Sequence, residues 1–243
     1  MRLAGKTALV TGGGTGIGLG IAAALAAEGC QVGIAGRRAD ALEAASTKVG
    51  GAHPLAVCAA DVGDPKSVEK LFAWAAKTLG PIHILVNSAG INVPKRRMAE
   101  LSIEDWEQML RINASGSFYC MRAVLPQMRQ RHDGLIVNIS STSGVRATLL
   151  GGVGYSASKF AVSALGIAAA LEEGKNGIRI TNVYPGEVET PILDRRPTPV
   201  SAEHRARILQ PEDVAAAVLM VACLPPRAHV AELLIKPTTQ DHS

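Results

Sequence analysis

Aromatic side chains are scarce in this chain: three Phe, three Tyr and two Trp make up 3% of its 243 residues. The core must therefore be filled mainly by Ala, Val, Leu and Ile, and a nucleic-acid surface would lack the rings on which bases stack. The four cysteines, Cys30, Cys58, Cys120 and Cys223, form no C-x-x-C pair and show no ligand-like histidine spacing. That argues against a disulfide framework and against zinc; no metal is expected, and reduced thiols fit a cytoplasmic protein. No run approaches the roughly 20 uninterrupted apolar residues of a membrane span. The longest, Ala161 to Leu171, belongs to an alanine-rich helix. The start, Met1-Arg-Leu-Ala-Gly-Lys6, leads straight into a strand without a signal-peptide layout. Charge is modest as well, at 19% of residues and a net +4, gathered at Arg37-Arg38, Lys95-Arg96-Arg97 and Arg195-Arg196. With no nucleic-acid reading module beside them, these clusters suit small anionic ligands, and neither nucleic acid nor membrane is expected as a partner.

What the chain does have is a regular alternation of apolar runs and helical patterns. Runs at Thr7–Val10, Gln31–Ala35, Pro54–Cys58, Ile82–Val86, Leu135–Ile139, Ile178–Val183 and Glu232–Ile235 read as strands. Helical patterns fall between them. Asp64-Pro65 opens one with a capping acid and a proline, and Val68, Leu71, Phe72, Ala75 and Leu79 give it a single apolar stripe. Ser102 and Asp105 suit the capping box of a long helix carrying Trp106, Met109 and Leu110. Strands that are continuously apolar belong in a parallel sheet covered on both faces. The expected fold is α/β: a doubly wound, mostly parallel, seven-stranded Rossmann-like sheet with helices on both faces, in a single domain over residues 1–243.

Two sequence features carry chemistry. Thr11-Gly-Gly-Gly-Thr-Gly16-Ile-Gly18 lies between the first strand and the first helix. Glycines at that junction permit a tight turn and the close approach of a pyrophosphate to backbone N–H groups at a helix N-terminus. About 20 residues further on, NAD enzymes carry an acid that bonds the ribose hydroxyls. This chain instead has Gly36-Arg37-Arg38, with no acid before Asp40. Two arginines there favour the extra phosphate of NADP, the alternative being solvated residues that open the next helix. The second feature is Tyr155 followed by Lys159. One helical turn apart, phenol and ammonium share a face, and a nearby ammonium lowers a phenol from about 10 towards neutrality.

With Thr11 to Gly18, Asp61-Val62, Asn87-Ser-Ala-Gly90, Asn113, Ser141, Tyr155 with Lys159, and Pro185-Gly186 in this order, the chain resembles the single-domain short-chain dehydrogenase/reductases. The resemblance implies NADP as cofactor, NAD being possible, and a small carbonyl or alcohol substrate. It makes Asn113, Ser141, Tyr155 and Lys159 catalytic: Tyr155 as general acid or base, Lys159 on the nicotinamide ribose, Ser141 orienting substrate and Asn113 holding a water. Gly12, Gly14, Thr15, Gly16, Ile17, Gly18, Arg37, Arg38, Asp61, Val62, Asn87, Ala89, Gly90, Pro185, Gly186, Val188 and Thr190 would contact the cofactor, with Tyr155 and Lys159. Ser141 to Tyr155 is one residue longer than in many relatives, which leaves Thr142 and Ser143 as alternatives for the serine. The C-terminal part, with Gln210-Pro-Glu-Asp-Val214, Leu224-Pro-Pro-Arg227 and Ala231 to Thr238, resembles the branch of NADP-dependent serine and 3-hydroxy acid dehydrogenases. The family also implies a homotetramer, or failing that a homodimer, built on Ala161, Ala164, Ala168 and Ala169. Cations of the Lys95–Arg97 and Arg195–Arg196 loops are candidates to bind a substrate carboxylate, against solvated loop charges. The competing reading is a non-catalytic sensor of NAD(P) on the same fold.

Overall fold

A computed structural model of the chain describes residues 1–50 and 54–240. Strands β1 (Thr7–Thr11), β2 (Gln31–Gly36), β3 (Ala56–Ala59), β4 (Ile84–Asn87), β5 (Gly134–Ile139), β6 (Ile178–Pro185) and β7 (Glu232–Ile235) form one sheet. All neighbours are parallel, in the order β3-β2-β1-β4-β5-β6-β7. The helices are α1 (Gly16–Ala27), α2 (Ala39–Val49), α3 (Pro65–Thr78), α4 (Ile103–Met109), α5 (Gly116–Arg131), α6 (Val153–Glu173), α7 (Ala202–Arg207) and α8 (Pro211–Ala222).

Alternation along the inner strands divides the core. Ala8 and Val10 of β1 join Ile21 and Leu25 of α1 and Val214 and Val218 of α8 on one face. Leu9 between them joins Leu71 of α3 and Met121 and Val124 of α5 on the other. With both faces covered, β1, β4 and β5 are buried along their whole length, whereas the edges β3 and β7 are partly exposed. The expected capping appears where the side chains demand it. Asp64 accepts from the Lys66 N–H at 3.0 Å and Ser102 from the Asp105 N–H at 3.1 Å.

Three findings were not foreseen. The long helix after β4 is interrupted by a π turn, Leu110–Ser115, between α4 and α5. The segment after β6 folds into a 3₁₀ turn, Pro191–Arg195, and the short helix α7. Helix α6, with its following turn, has a length and mean hydropathy (1.2) compatible with a membrane span, although its longest apolar run, Ala161 to Leu171, is shorter than a span needs. Here it packs along β6, with Lys159 and Val162 turned inward.

Candidate active site

The strand order reverses between β1 and β4, so the turns leaving these two strands diverge and open a crevice at their carboxyl ends. The glycine turn occupies one side, and its glycines are dictated by contact. A Cβ on Gly18 would lie 2.3 Å from the Gly12 carbonyl oxygen, and one on Gly12, at φ +67°, 2.8 Å from Ala89. Gly16 abuts Thr190, so the loop after β6 reaches across to the same turn. Helix α1 starts here with no side-chain cap and no acid in its first turn. Helix α8, by contrast, opens with Glu212, Asp213 and a capping box. The free N–H groups of α1 thus keep their positive end for an external anion, and this cradle fits a dinucleotide pyrophosphate.

The other proposed cofactor contacts line the same edge. Arg37 and Arg38 leave the end of β2 as exposed side chains, with no acceptor found for either guanidinium among the described residues. Asp61 is engaged locally: its Oδ1 accepts from the Gly63 N–H at 2.9 Å, and Arg111 lies 3.8 Å from its Oδ2. Val62 is buried against Gly116. Asn87 joins Asn138 and Asn182 in a buried amide ladder across β4, β5 and β6, at 3.0 and 3.1 Å. Its Oδ1 has no partner among the described residues. Gly186 is fixed by its N–H to the Ile235 carbonyl at 2.7 Å, and Val188 is buried.

Around the crevice stand the four polar side chains singled out for catalysis. Asn113 lies on the π turn, a distortion that often accompanies functional sites. It is buried: Oδ1 accepts from the Ile91 N–H at 2.8 Å, while Nδ2 donates to the Ile91 carbonyl at 3.0 Å and to Ser158 Oγ at 2.9 Å. Ser158, absent from the expected set, donates in turn to the Tyr155 carbonyl at 2.8 Å. Its signal lay in the helical period, since it shares the inward face of α6 with Lys159. Lys159 Nζ donates to the Ile139 carbonyl at 2.8 Å and sits 5.6 Å from the centre of the Tyr155 ring. Both Lys159 Nζ and Asn113 Oδ1 lie 3.5 Å from where a Cβ on Gly90 would be. Among the hydroxyls left open by the sequence, that of Ser143 is buried and faces Thr148 Oγ1 at 3.3 Å. Ser141 Oγ accepts from the Ser143 N–H at 3.1 Å, and its hydroxyl eases ionisation of Tyr155.

Electrostatics correct one expectation. Burial pushes the Tyr155 phenol above its ordinary value, while the Ser141 hydroxyl and the Arg96 charge act in the opposite sense. Lys159 does not bring the resting phenol to neutrality, since burial outweighs its charge and lowers Lys159 itself to about 8. The substrate-side cations differ from expectation too. Arg96 is buried and bonded to backbone carbonyls, and Arg196 pairs with Glu187 at 3.2 Å. Arg205 pairs with Glu189 and Asp194, so α7 is tied by charge to the loop after β6. Beside this latch lies a cleft of about 780 Å³ lined by Arg96, Leu149, Leu150, Arg196 and His204.

Comparison with known proteins agrees with this geometry. Residues 6–200 match the profile of the short chain dehydrogenase family. The chain is 38% identical to the glycine betaine reductase of Emericella nidulans, in an alignment covering 97% of this chain and 19% of that protein. The closed form of a serine dehydrogenase complexed with NADP+ superposes with a TM-score of 0.89 at 31% identity, covering 98% of this chain and 97% of that one. A 3-ketoacyl-(acyl-carrier-protein) reductase from Brucella melitensis complexed with NADH gives 0.87 at 27% identity, covering 96% and 98%.

Proposed function

The chain belongs to the short-chain dehydrogenase/reductase family, and on that premise we propose that it is an NADPH-dependent carbonyl reductase with Tyr155 as its proton donor. The class, an oxidoreductase that transfers hydride, follows from the family. The observation that carries the finer reading is the convergence of Asn113, Ser141, Tyr155 and Lys159 on the glycine-lined crevice. Bound there, the nicotinamide supplies the hydride. Ser141 and Tyr155 hold the substrate oxygen and polarise the C=O, and the phenol then gives its proton to the developing alkoxide. Lys159 steadies the phenolate left behind, and in alcohol oxidation the phenolate acts as base. Asn113 fixes the segment after β4 to α6 through Ile91 and Ser158.

The sensor reading would leave these four groups without a task. A screen with NADPH and a panel of ketones, aldehydes and keto acids separates the two: consumption of NADPH supports the reductase, and tight cofactor binding without turnover of any compound supports the sensor. The whole chain acts in this reading as one cofactor-binding and catalytic unit. The four unpaired thiols are in keeping with a cytoplasmic enzyme, and burial pushes those of Cys30 and Cys120 up to about 12.

NADP preference rests on Arg37 and Arg38, exposed at the end of β2 where no acid stands to meet ribose hydroxyls. Charge-assisted bonds to a phosphate are strong, so replacing both by Ala should weaken NADPH roughly a hundredfold and leave NADH, the possible second cofactor, nearly unchanged. Fluorescence titration of both cofactors reads this, and equal wild-type affinities would remove the preference.

Assembly into a homotetramer, or a homodimer, is proposed for the outer face of α6. Phe160, Ala164, Ile167 and Leu171 form an exposed stripe at helical spacing, and Phe118 of α5 is exposed as well. Such a stripe suits the self-complementary contact of a two-fold axis. Ala169, placed on this face by the sequence reading, instead packs partly inward. Changing Ile167 and Leu171 to Asp is expected to give monomers in light scattering; an unchanged mass would place the interface elsewhere.

A further inference from the structure

Arg96 is buried, and among the described residues no carboxylate lies within ion-pairing distance of its guanidinium. It is held by backbone carbonyls alone. Nε donates to Val93 at 2.9 Å, Nη1 to Leu150 at 2.9 Å and Nη2 to Arg195 at 2.7 Å. One side chain thus joins the segment after β4, the segment before α6 and the turn after β6. Its backbone contributes as well: the Arg96 carbonyl accepts from the Val153 N–H at 3.2 Å, at the first residue of α6 and two residues before Tyr155. Asn92 Nδ2 adds a bond to the Gly151 carbonyl at 3.1 Å. The contact is close enough to require glycine at position 152, where φ is +78° and a Cβ would fall 2.6 Å from the Arg96 carbonyl oxygen.

A buried guanidinium without an anionic partner is expensive. The Arg96 carbonyl holds the first turn of the helix that bears Tyr155, and the guanidinium charge favours the ionised form of that phenol. We infer that Arg96 is a positioning residue for hydride transfer, fixing the first turn of the Tyr155 helix against both walls of the cleft and compensating the phenolate formed in the reaction. Stabilisation by a preformed charge needs no reorganisation at the moment of reaction. This inference rests on the reading of Tyr155 as the proton donor. Lys159 of the same helix lies beside the Tyr155 ring, and the charged and polar groups that favour the phenolate are Arg96 from the segment after β4 and Ser141 from the turn after β5. Arg196, whose charge also acts on Arg96, is paired with Glu187.

The test is the pH profile of alcohol oxidation with NADP+, using the best-turned-over alcohol of the screen above, in wild type, Arg96→Gln and Arg96→Lys. Arg96→Gln keeps a donor for the carbonyls but removes the charge. Its profile should move up by about one pH unit, and kcat should fall roughly tenfold, with the KM for NADP+ unchanged. Arg96→Lys restores a cation and should return the midpoint to the wild-type position. A wild-type midpoint in Arg96→Gln overturns the inference, and so does an Arg96→Lys midpoint displaced as far as that of Arg96→Gln. Should Arg96→Gln fail to fold, Arg96→Met takes its place: a raised midpoint supports the inference, and a wild-type midpoint refutes it. A normal profile in Arg96→Gln beside an inactive Tyr155→Phe would remove only the role of Arg96. An active Tyr155→Phe would remove the reading beneath it.

Discussion

Replacing Tyr155 with Phe is expected to lower kcat about a thousandfold while the Kd for NADPH stays within a factor of about three. The substitution removes one hydroxyl and leaves the ring against Lys159 and the inner face of α6, so cofactor binding and fold have little to lose. The effect should therefore lie in kcat. Steady-state kinetics with a substrate from the screen, together with a cofactor titration, measure both quantities. A variant that keeps near wild-type kcat would assign proton transfer to another group. Equal weakening of cofactor affinity would make Tyr155 a binding residue.

Lys159→Met should cost roughly a hundredfold or more in kcat, because it withdraws the ammonium that steadies the phenolate. It should also change how stability depends on pH. In the native protein Lys159 is lowered from 10.5 to about 8 by burial. Below pH 8 both folded and unfolded chains hold the proton, and the folded state bears the full penalty of an interred ammonium. Between pH 8 and 10.5 the unfolded chain holds more protons than the folded one, so this group makes the wild type more stable as pH rises. Relative to the variant, wild type should gain roughly 3 kcal/mol across that window. Denaturant melts at several pH values read the difference, and contributions common to both proteins cancel. Parallel curves would mean that Lys159 is not desolvated as described. The two halves of this prediction express one compromise, a charge that destabilises the fold and serves the reaction.

The sheet was readable in the sequence because its signals are local. Runs such as Leu135 to Ile139 are short, apolar and bounded by breakers, and their regular alternation with helices leaves few topologies open. The boundaries moved by a residue or two at Val10, Pro54 and Ile82, as strand ends do. The glycine turn, the Tyr155–Lys159 pair and the ordered family motifs were legible for the same reason. The environments of these residues were not. Nothing in the spacing of Asn113 announces a π turn, since one extra residue in a helical turn leaves composition unaltered. Nor does Lys95-Arg96-Arg97 reveal that the middle cation is buried and the others exposed. That depends on where two chain-distant carbonyls, of Leu150 and Arg195, meet the local one of Val93. The effect of Lys159 on Tyr155 was misjudged because sequence proximity gives the neighbouring charge but not the desolvation that outweighs it. The 3₁₀ turn and α7 escaped because Arg196-Pro-Thr-Pro199 reads as a simple break, while ion pairs from Glu187, Glu189 and Asp194 organise what surrounds it.

The most direct test of the central claim uses NADPH carrying deuterium on the hydride-donating face of its nicotinamide, incubated with the protein and each carbonyl compound of the panel. Product mass and NMR then locate the label. If this chain is a carbonyl reductase, at least one substrate becomes an alcohol with a single deuterium on the former carbonyl carbon, and Tyr155→Phe forms it about a thousandfold more slowly. Both faces of the nicotinamide should be labelled in turn, so that either stereochemistry is seen. Saturable binding of NADPH with no deuterated alcohol from any compound, on either face, would contradict the account.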